Sequence, residues 1–329
     1  MPMAQVIHEQ GPPEVMRWEE WPVSDPGSGK VRIRHTAVGV NFADTYHRAG
    51  ISHPWPVPPR PCVIGFEAVG RVEGVGSEVS GFAVGDRVAY GLPPLGSYSE
   101  VRNYPADKLL HLPDHLDDKQ VAALLMKGMT AQYLLYRTYK VQPGDTVLIH
   151  AAAGGMGLIL CRWAKALGAQ IVGTVSTDEK ADVARAAGCD FPVVRSKEDF
   201  ISKVREVTDG EGAAVVYEAI GKDTLQQSLD CLRLMGVCAA YGHVSGPPDP
   251  VDIVQDLGAR GSLFITRPAI MHYLAKRSDL EWAARDLFQA ITDGILEANI
   301  NYEYELKHAA KAHRAIESGT THGATVLIP

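Results

Sequence analysis

Six consecutive residues in this 329-residue chain offer the clearest chemistry. AAGGMG, Ala152 to Gly157, shares Ala152 with the end of the apolar run DTVLIHAA and stands directly before LILCRWAKALG. Positions 152, 154 and 157 carry the G-x-G-x-x-G spacing, with Ala152 in the first glycine place. Small residues are required there. Gly154 lets the backbone approach a pyrophosphate, and Gly157 lets the following helix pack closely against the strand. The amides of Gly155, Met156 and Gly157 at the helix N-terminus would then face the phosphates. Tight glycine turns without a ligand are common, so the setting between a strand and a helix is what makes this a dinucleotide loop.

The next strand separates NADH from NADPH. Its end, Val175-Ser176, lacks the Asp or Glu that binds the ribose hydroxyls of NADH. Ser176 can donate to a 2′-phosphate, Lys180 adds charge one helical turn later, and Arg195 follows the third strand. Asp178 and Glu179 argue the other way, although carboxylates also suit a first helical turn. Lys180 and Arg195 taken singly read equally well as solvated surface cations. The three features together point to NADPH.

These residues need a scaffold, and the composition supplies one. With 46% apolar and 22% charged residues, the chain can bury a sizeable core, which excludes disorder as a description of the whole. A net charge of -7 argues against general attraction to nucleic acid or anionic lipid. The longest apolar stretch, Val147 to Cys161, is shorter than the roughly 18 residues of a membrane span. No basic flank precedes an apolar run at the N-terminus, so no secretory signal is visible. The five cysteines are scattered and never spaced as CxxC, which fits neither a disulfide scaffold nor a zinc knuckle. A cytoplasmic location is expected.

The first third is rich in β-branched residues, Gly and Pro. Lys30 to Val40, Glu67 to Gly76 and Asp86 to Tyr90 read as strands of an irregular antiparallel β domain, with one helix from about Asn41 to Gly50. From Leu116 the texture becomes helical, and strand–helix alternation follows: DTVLIHAA, QIVGTV, DFPVV, AAVVYEAI and GVCAAYG are the strands. Their unalternated apolar runs suit strands buried on both faces of a doubly wound parallel sheet. TLQQSLDCLRLM reads as one helix of this series, and Gly261 to Arg267 as a strand at the sheet edge. The tail offers a helix near Asp279 to Asp293, a strand YEYEL and a final ATVLIP that rejoins the first domain.

GVNFADTYHRAG (Gly39 to Gly50), GFEAVGRVEGVG, GDRVAY, KGMTAQYLL, the AAGGMG segment and TRP (Thr266 to Pro268) occur in an order that resembles the medium-chain dehydrogenase/reductase superfamily. Within it the chain is most similar to the zinc-free quinone oxidoreductases related to zeta-crystallin. The resemblance implies an α/β chain with a GroES-like catalytic domain, residues 1–125 and 268–329, and an NADPH-binding Rossmann domain, residues 126–267. It also implies a homodimer through the Rossmann edge strand.

In the zinc alcohol dehydrogenases of this superfamily a Cys, the His of a GHE motif and a later third ligand hold the metal. Here Asn41 takes the Cys place and Phe66 the His place, and AALLMKGMTAQY offers no third ligand. No catalytic metal is therefore expected. His111 and His115 flank Pro113 and read as surface residues. Without a metal, oxidation of an unactivated alcohol loses its Lewis acid, whereas a quinone or enone already accepts hydride. The site must stack the acceptor on the nicotinamide and stabilise a developing oxyanion. The resemblance sets Asn41, Asp44 and Tyr46 there as catalytic candidates, with Phe42 against the cofactor. Asn41 reads alternatively as an N-cap, and Tyr46 as a wall residue. By the same resemblance Thr130 and Tyr133 lie near the cofactor, and Ala219, Gly242, His243 and Val244 line its nicotinamide half.

Departures from the family bear on the pocket. Ile51-Ser52 stand where many relatives carry a Tyr, and Gly319 stands where some place an Arg on the 2′-phosphate. The expected activity is reduction of a small-molecule quinone by NADPH in the cleft between the domains. The alternatives are NADPH-dependent reduction of the C=C bond of α,β-unsaturated carbonyls and, in another class, a crystallin-like structural or RNA-binding role. The acidic balance, without a basic, aromatic-interleaved tract, disfavours RNA as the main partner. The proline-dense stretch His53 to Pro61 is expected at the pocket rim.

Overall fold

A computed structural model describes residues 1–51 and 59–329. The expected rim falls largely outside the described residues, as does Ser52. The chain divides into two compact units: Met1–Met129, Leu274–Thr292 and Glu297–Pro329 form the first, Thr130–Tyr273 and Asp293–Leu296 the second.

The first unit contains β1 (Met3–Ile7), β2 (Met16–Glu20), β3 (Lys30–Gly39), α1 (Phe42–Ala49), β4 (Cys62–Val63), β5 (Ala68–Val75), β6 (Arg87–Tyr90), β7 (Val101–Pro105), β8 (Leu110–His111) and most of α2 (Asp118–Tyr133). Strand β3 buries Val31, Ile33 and His35 and turns the residues between them outward, the period-two pattern of a strand with one buried face. It pairs antiparallel with β5, and the register sets Val38 opposite Ala68. That register brings the N–H of Gly39 to the carbonyl of Glu67 at 3.3 Å.

In the second unit are β9 (Thr146–Ile149), α3 (Gly155–Ala166), β10 (Gln170–Val175), α4 (Asp178–Ala186), β11 (Phe191–Val194), α5 (Phe200–Val207), β12 (Ala213–Glu218), α6 (Leu225–Asp230), β13 (Leu232–Ala240), β14 (Phe264–Thr266) and α7 (Ile270–Tyr273). The sheet runs β11-β10-β9-β12-β13-β14 with every pair parallel. Counted from β9, this is the 3-2-1-4-5-6 order of the Rossmann fold, and the order reverses between β9 and β12. Strand β14 lies at the edge, as expected. The segment TLQQSLDCLRLM is not one helix: α6 stops at Asp230, and Leu232 already opens β13 opposite Ala213. Its apolar spacing fits both periods, and pairing with β12 decides for strand.

The chain then returns to the first unit through α8 (Arg277–Thr292), β15 (Ile300–Glu305), α9 (Ala309–Glu317) and β16 (Ala324–Ile328). Strand β16 pairs antiparallel with β3, Leu327 against Val38, which completes the sheet β15-β16-β3-β5-β6-β8; β7 also pairs β3. Strands β2, β1 and β4 form a separate small sheet.

Candidate functional site

In the second unit the candidate residues gather along the carboxyl edge of the parallel sheet, where ligands of such sheets bind. AAGGMG leaves the end of β9 and enters α3 with Gly154 as N-cap. The first helical bond is made by Leu158 N–H to Gly154 O at 2.9 Å. The N–H groups of Gly155, Met156 and Gly157 precede that bond and form the anion-receptive end of a helix. A Cβ on Gly157 would run into the Ala151 carbonyl oxygen and lie 2.7 Å from Ala152 Cα. Glycine at this position is what lets the first turn of α3 pack against the Ala151–Ala152 turn.

Ser176 and Arg195 lie one residue beyond Val175 and Val194, which face each other on β10 and β11. Arg195 N–H bonds to Val175 O at 3.1 Å, so the two exposed residues stand at neighbouring strand ends. Lys180 is half-buried in the first turn of α4, where its N–H donates to the capping Thr177 hydroxyl at 3.3 Å. The contrary charge of Asp178 is offset by Lys197 Nζ at 2.5 Å.

Beyond β12 and β13 two turns lie side by side. Gly242 N–H donates to Glu218 O, and Val244 N–H to Ala219 O, each at 3.2 Å. A Cβ on Gly242 would sit 2.6 Å from Ala219 O, so glycine is what allows this approach. His243 is buried, and Arg267 donates to its Nδ1 at 3.3 Å, which leaves the proton on Nε2. Burial and the Arg267 charge hold the His243 pKa below its ordinary value. The same guanidinium bonds to Tyr241 O at 2.5 Å and bears on Tyr133. Tyr133 ends α2 with its ring stacked on Tyr273 at 4.3 Å, and Thr130 lies one turn earlier.

In the first unit, Asn41, Phe42, Asp44 and Tyr46 share the start of α1. Asn41 is its N-cap and is 5% exposed. Its backbone N–H donates to Asp44 Oδ2 at 2.8 Å, and its side-chain Nδ2 donates to Glu67 Oε1 at 2.7 Å. Glu67 is fully buried and also accepts Met126 N–H at 2.6 Å and Lys127 Nζ at 3.3 Å. Asp44 is fully buried too. Its Oδ2 accepts the Tyr98 hydroxyl at 3.1 Å. Burial pushes its pKa up to about 7, against the hydrogen bonds from Asn41 and Tyr98. Behind it, Tyr98 meets His313 Nε2 at 2.9 Å, and Arg48 forks onto Glu317 at 2.6 and 2.9 Å. Tyr46 is buried, edge-on to Phe42 at 5.4 Å.

Glu67, Lys127, Glu218, His150 and Arg267 join these clusters without having been singled out in the sequence. For Glu67 the available signal was its place in GFE beside a residue of β5. Among the described residues no group of three or more His, Cys, Asp or Glu is placed to hold a metal ion. His111 and His115 are exposed, on the Gly81 carbonyl and Thr292.

Two family models match the chain, an alcohol dehydrogenase GroES-like domain over residues 27–114 and a zinc-binding dehydrogenase over residues 155–285. It is 55% identical to a 2-haloacrylate reductase of a Burkholderia species, covering 100% of this chain and 99% of that protein. It is 45% identical to a quinone oxidoreductase of Pseudomonas aeruginosa, covering 97% of each. The solved Escherichia coli quinone oxidoreductase complexed with NADPH superposes with a TM-score of 0.95 at 40% identity, covering 99% of this chain and 100% of that one. The chain belongs to the quinone oxidoreductases of the medium-chain dehydrogenase/reductase superfamily. The α/β architecture expected from the sequence, a GroES-like domain with a Rossmann domain, is the one it has.

Proposed function

We propose that this protein is an NADPH-dependent reductase that delivers hydride to a quinone. The observation that carries the reading is the carboxyl edge of the parallel sheet. One line of strand ends holds the phosphate cradle Gly154–Gly157, a 2′-phosphate pair of Ser176 and Arg195, and the packed turns of Ala219 and Gly242–Val244. Lys180 adds a second cation beside the pair, and Thr130, Tyr133 and Phe42 complete the proposed cofactor contacts. The full-length likeness to quinone oxidoreductases, one of them solved with NADPH, supports the same cofactor and acceptor.

NADPH, when bound, supplies the hydride. The chain's own part is to orient the acceptor and stabilise the negative charge that develops on its oxygen. Asn41 is suited to this because Glu67 and Asp44 fix both its side chain and its backbone, which leaves the second amide hydrogen in a set direction. Tyr46 is the proposed hydroxyl donor. Asp44, fully buried, acts by holding Asn41.

Reduction of an activated C=C bond is the second reading, favoured by the 55% identity to a 2-haloacrylate reductase. The assay follows NADPH oxidation with 1,4-benzoquinone, a medium-chain enone and 2-chloroacrylate side by side, with NADH as control and EDTA throughout. Rapid quinone turnover with NADPH supports the first reading. Turnover of 2-chloroacrylate or the enone with inert quinones replaces it by the second.

We also propose a homodimer through β14. Phe264 is 61% exposed on this edge strand, and Leu234 and Met235 of neighbouring β13 are 72% and 67% exposed. Light scattering of the wild type and of Phe264→Glu tests it, a monomeric wild type being the contrary result. A cytoplasmic location belongs to the same reading.

A further inference from the structure

One carboxylate underlies both turns that close the sheet edge. Glu218, the last residue of β12, is fully buried. Its Oε1 accepts the N–H groups of Ile220 at 2.6 Å and Gly221 at 3.1 Å. The Thr224 hydroxyl lies 3.0 and 2.9 Å from its two oxygens, and Ser228 Oγ donates to Oε2 at 2.5 Å. The backbone carries the hold onward. Glu218 O takes Gly242 N–H, and its neighbour Ala219 O takes Val244 N–H.

His150 braces this carboxylate from the residue after β9, on the other side of the strand-order reversal. It is fully buried, with Nε2 2.9 Å from Ser228 Oγ and 3.4 Å from Glu218 Oε2, and Nδ1 2.9 Å from Thr174 Oγ1 of β10. Ser228 donates to the carboxylate and so accepts from His150 Nε2–H. Nδ1 then accepts from Thr174, and one tautomer satisfies the whole chain. Burial alone would raise the Glu218 pKa, but the neighbouring His150 and the hydrogen bonds from Ser228, Gly221 and Ile220 hold it below the ordinary carboxylate value, the His150 share being the part that requires a protonated ring.

We propose that Glu218, braced by His150, is a positioning residue for the turns 219–221 and 242–244, and so sets how tightly the nicotinamide half of NADPH is held. This role rests on the NADPH reading above. Glu218 itself reaches no ligand, since it has no exposed surface. Its carboxylate and its own carbonyl hold N–H groups of the turns beyond β12 and β13 directly, whereas it reaches β9 and β10 only through Ser228 and His150.

The test compares two ligands on Glu218→Gln and on the milder Ser228→Ala. NADPH spans the whole edge, whereas adenosine 2′,5′-bisphosphate carries the 2′-phosphate without a nicotinamide. Calorimetry is expected to show NADPH affinity falling about tenfold in Glu218→Gln and less in Ser228→Ala, with adenosine 2′,5′-bisphosphate affinity held within about twofold. Equal loss of both ligands means that Glu218 merely supports the fold, and unchanged NADPH affinity in both variants overturns the proposal outright. A wild-type protein that binds neither ligand overturns the NADPH reading itself, which separates the two failures.

Discussion

The side-chain amide of Asn41 donates to Glu67 Oε1 at 2.7 Å across 26 residues of sequence. The same residue gives its backbone N–H to Asp44, so one N-cap joins two fully buried carboxylates. A side chain held this way has little freedom left.

Asn41→Ala leaves Glu67 short of one donor and should cost about 1–3 kcal/mol of stability, with a larger fall in turnover. Asn41→Asp keeps the size but sets a carboxylate against Glu67, and it should cost more. Urea unfolding of both variants checks the order. An Asp variant as stable as the Ala variant would show that the amide donor is dispensable.

Asp44 makes stability depend on pH in an unusual direction for a carboxylate. Burial lifts its folded pKa from 3.8 to about 7, so between these values the folded protein holds a proton that the unfolded chain has released. The stability this group provides is full below pH 4 and is lost as the pH rises to 7, by roughly 4 kcal/mol at most. His47, lowered to about 4 by burial, and His35 and His313, lowered to about 3, act the other way. Their contribution is full above pH 6.5 and fades in acid. The comparison that isolates Asp44 is wild type against Asp44→Asn at pH 5 and pH 8. The variant should gain on the wild type at the higher pH, and parallel behaviour would refute the assignment.

Two glycines of the phosphate cradle should respond differently to the same substitution. A Cβ on Gly157 collides with backbone, whereas one on Gly154 lies 3.1 Å from Ala151 O. Gly157→Ala should lower the melting temperature markedly. Gly154→Ala should largely keep it and weaken NADPH binding, because the new methyl stands where the phosphates approach. Differential scanning calorimetry together with NADPH titration reads both effects.

Ser176 and Arg195, at neighbouring strand ends, should set the preference for the phosphorylated cofactor. Arg195→Gln and Ser176→Ala are each expected to raise the KM for NADPH about tenfold while leaving that for NADH nearly unchanged. Equal effects on both cofactors would remove these residues from the 2′-phosphate site.

The local elements that carry these candidates are legible in the sequence. Ala152–Gly157 runs from the turn after β9 into the first turn of α3, and Asn41 and Gly50 bound α1, because capping and glycine spacing are local signals. Glu67 was not legible, since its meeting with Asn41 depends on the pairing of Val38 with Ala68. Glu218 ends β12 and His150 follows β9 directly, and a polar residue at the end of an apolar run gives no hint of its partners until the strand order is known. The over-long helix drawn through Leu232–Met235 has a related cause, because a short apolar run takes its form from its neighbour.

Strand β16 pairs with β3 from the far end of the sequence, and the whole second sheet lies between them in the chain. During synthesis Thr130–Tyr273, the second unit without its short Asp293–Leu296 segment, emerges as one block that can fold before β16 is made, in keeping with domain-by-domain folding on the ribosome. Until residues 324–328 have been made, β7 covers that side of β3 over Lys30–Arg34 while its Val38–Gly39 end has no strand beside it. This last gap is filled by a late-arriving strand, and the time to translate the intervening block sets how long that end of nascent β3 stands open to chaperones and to pairing with other chains.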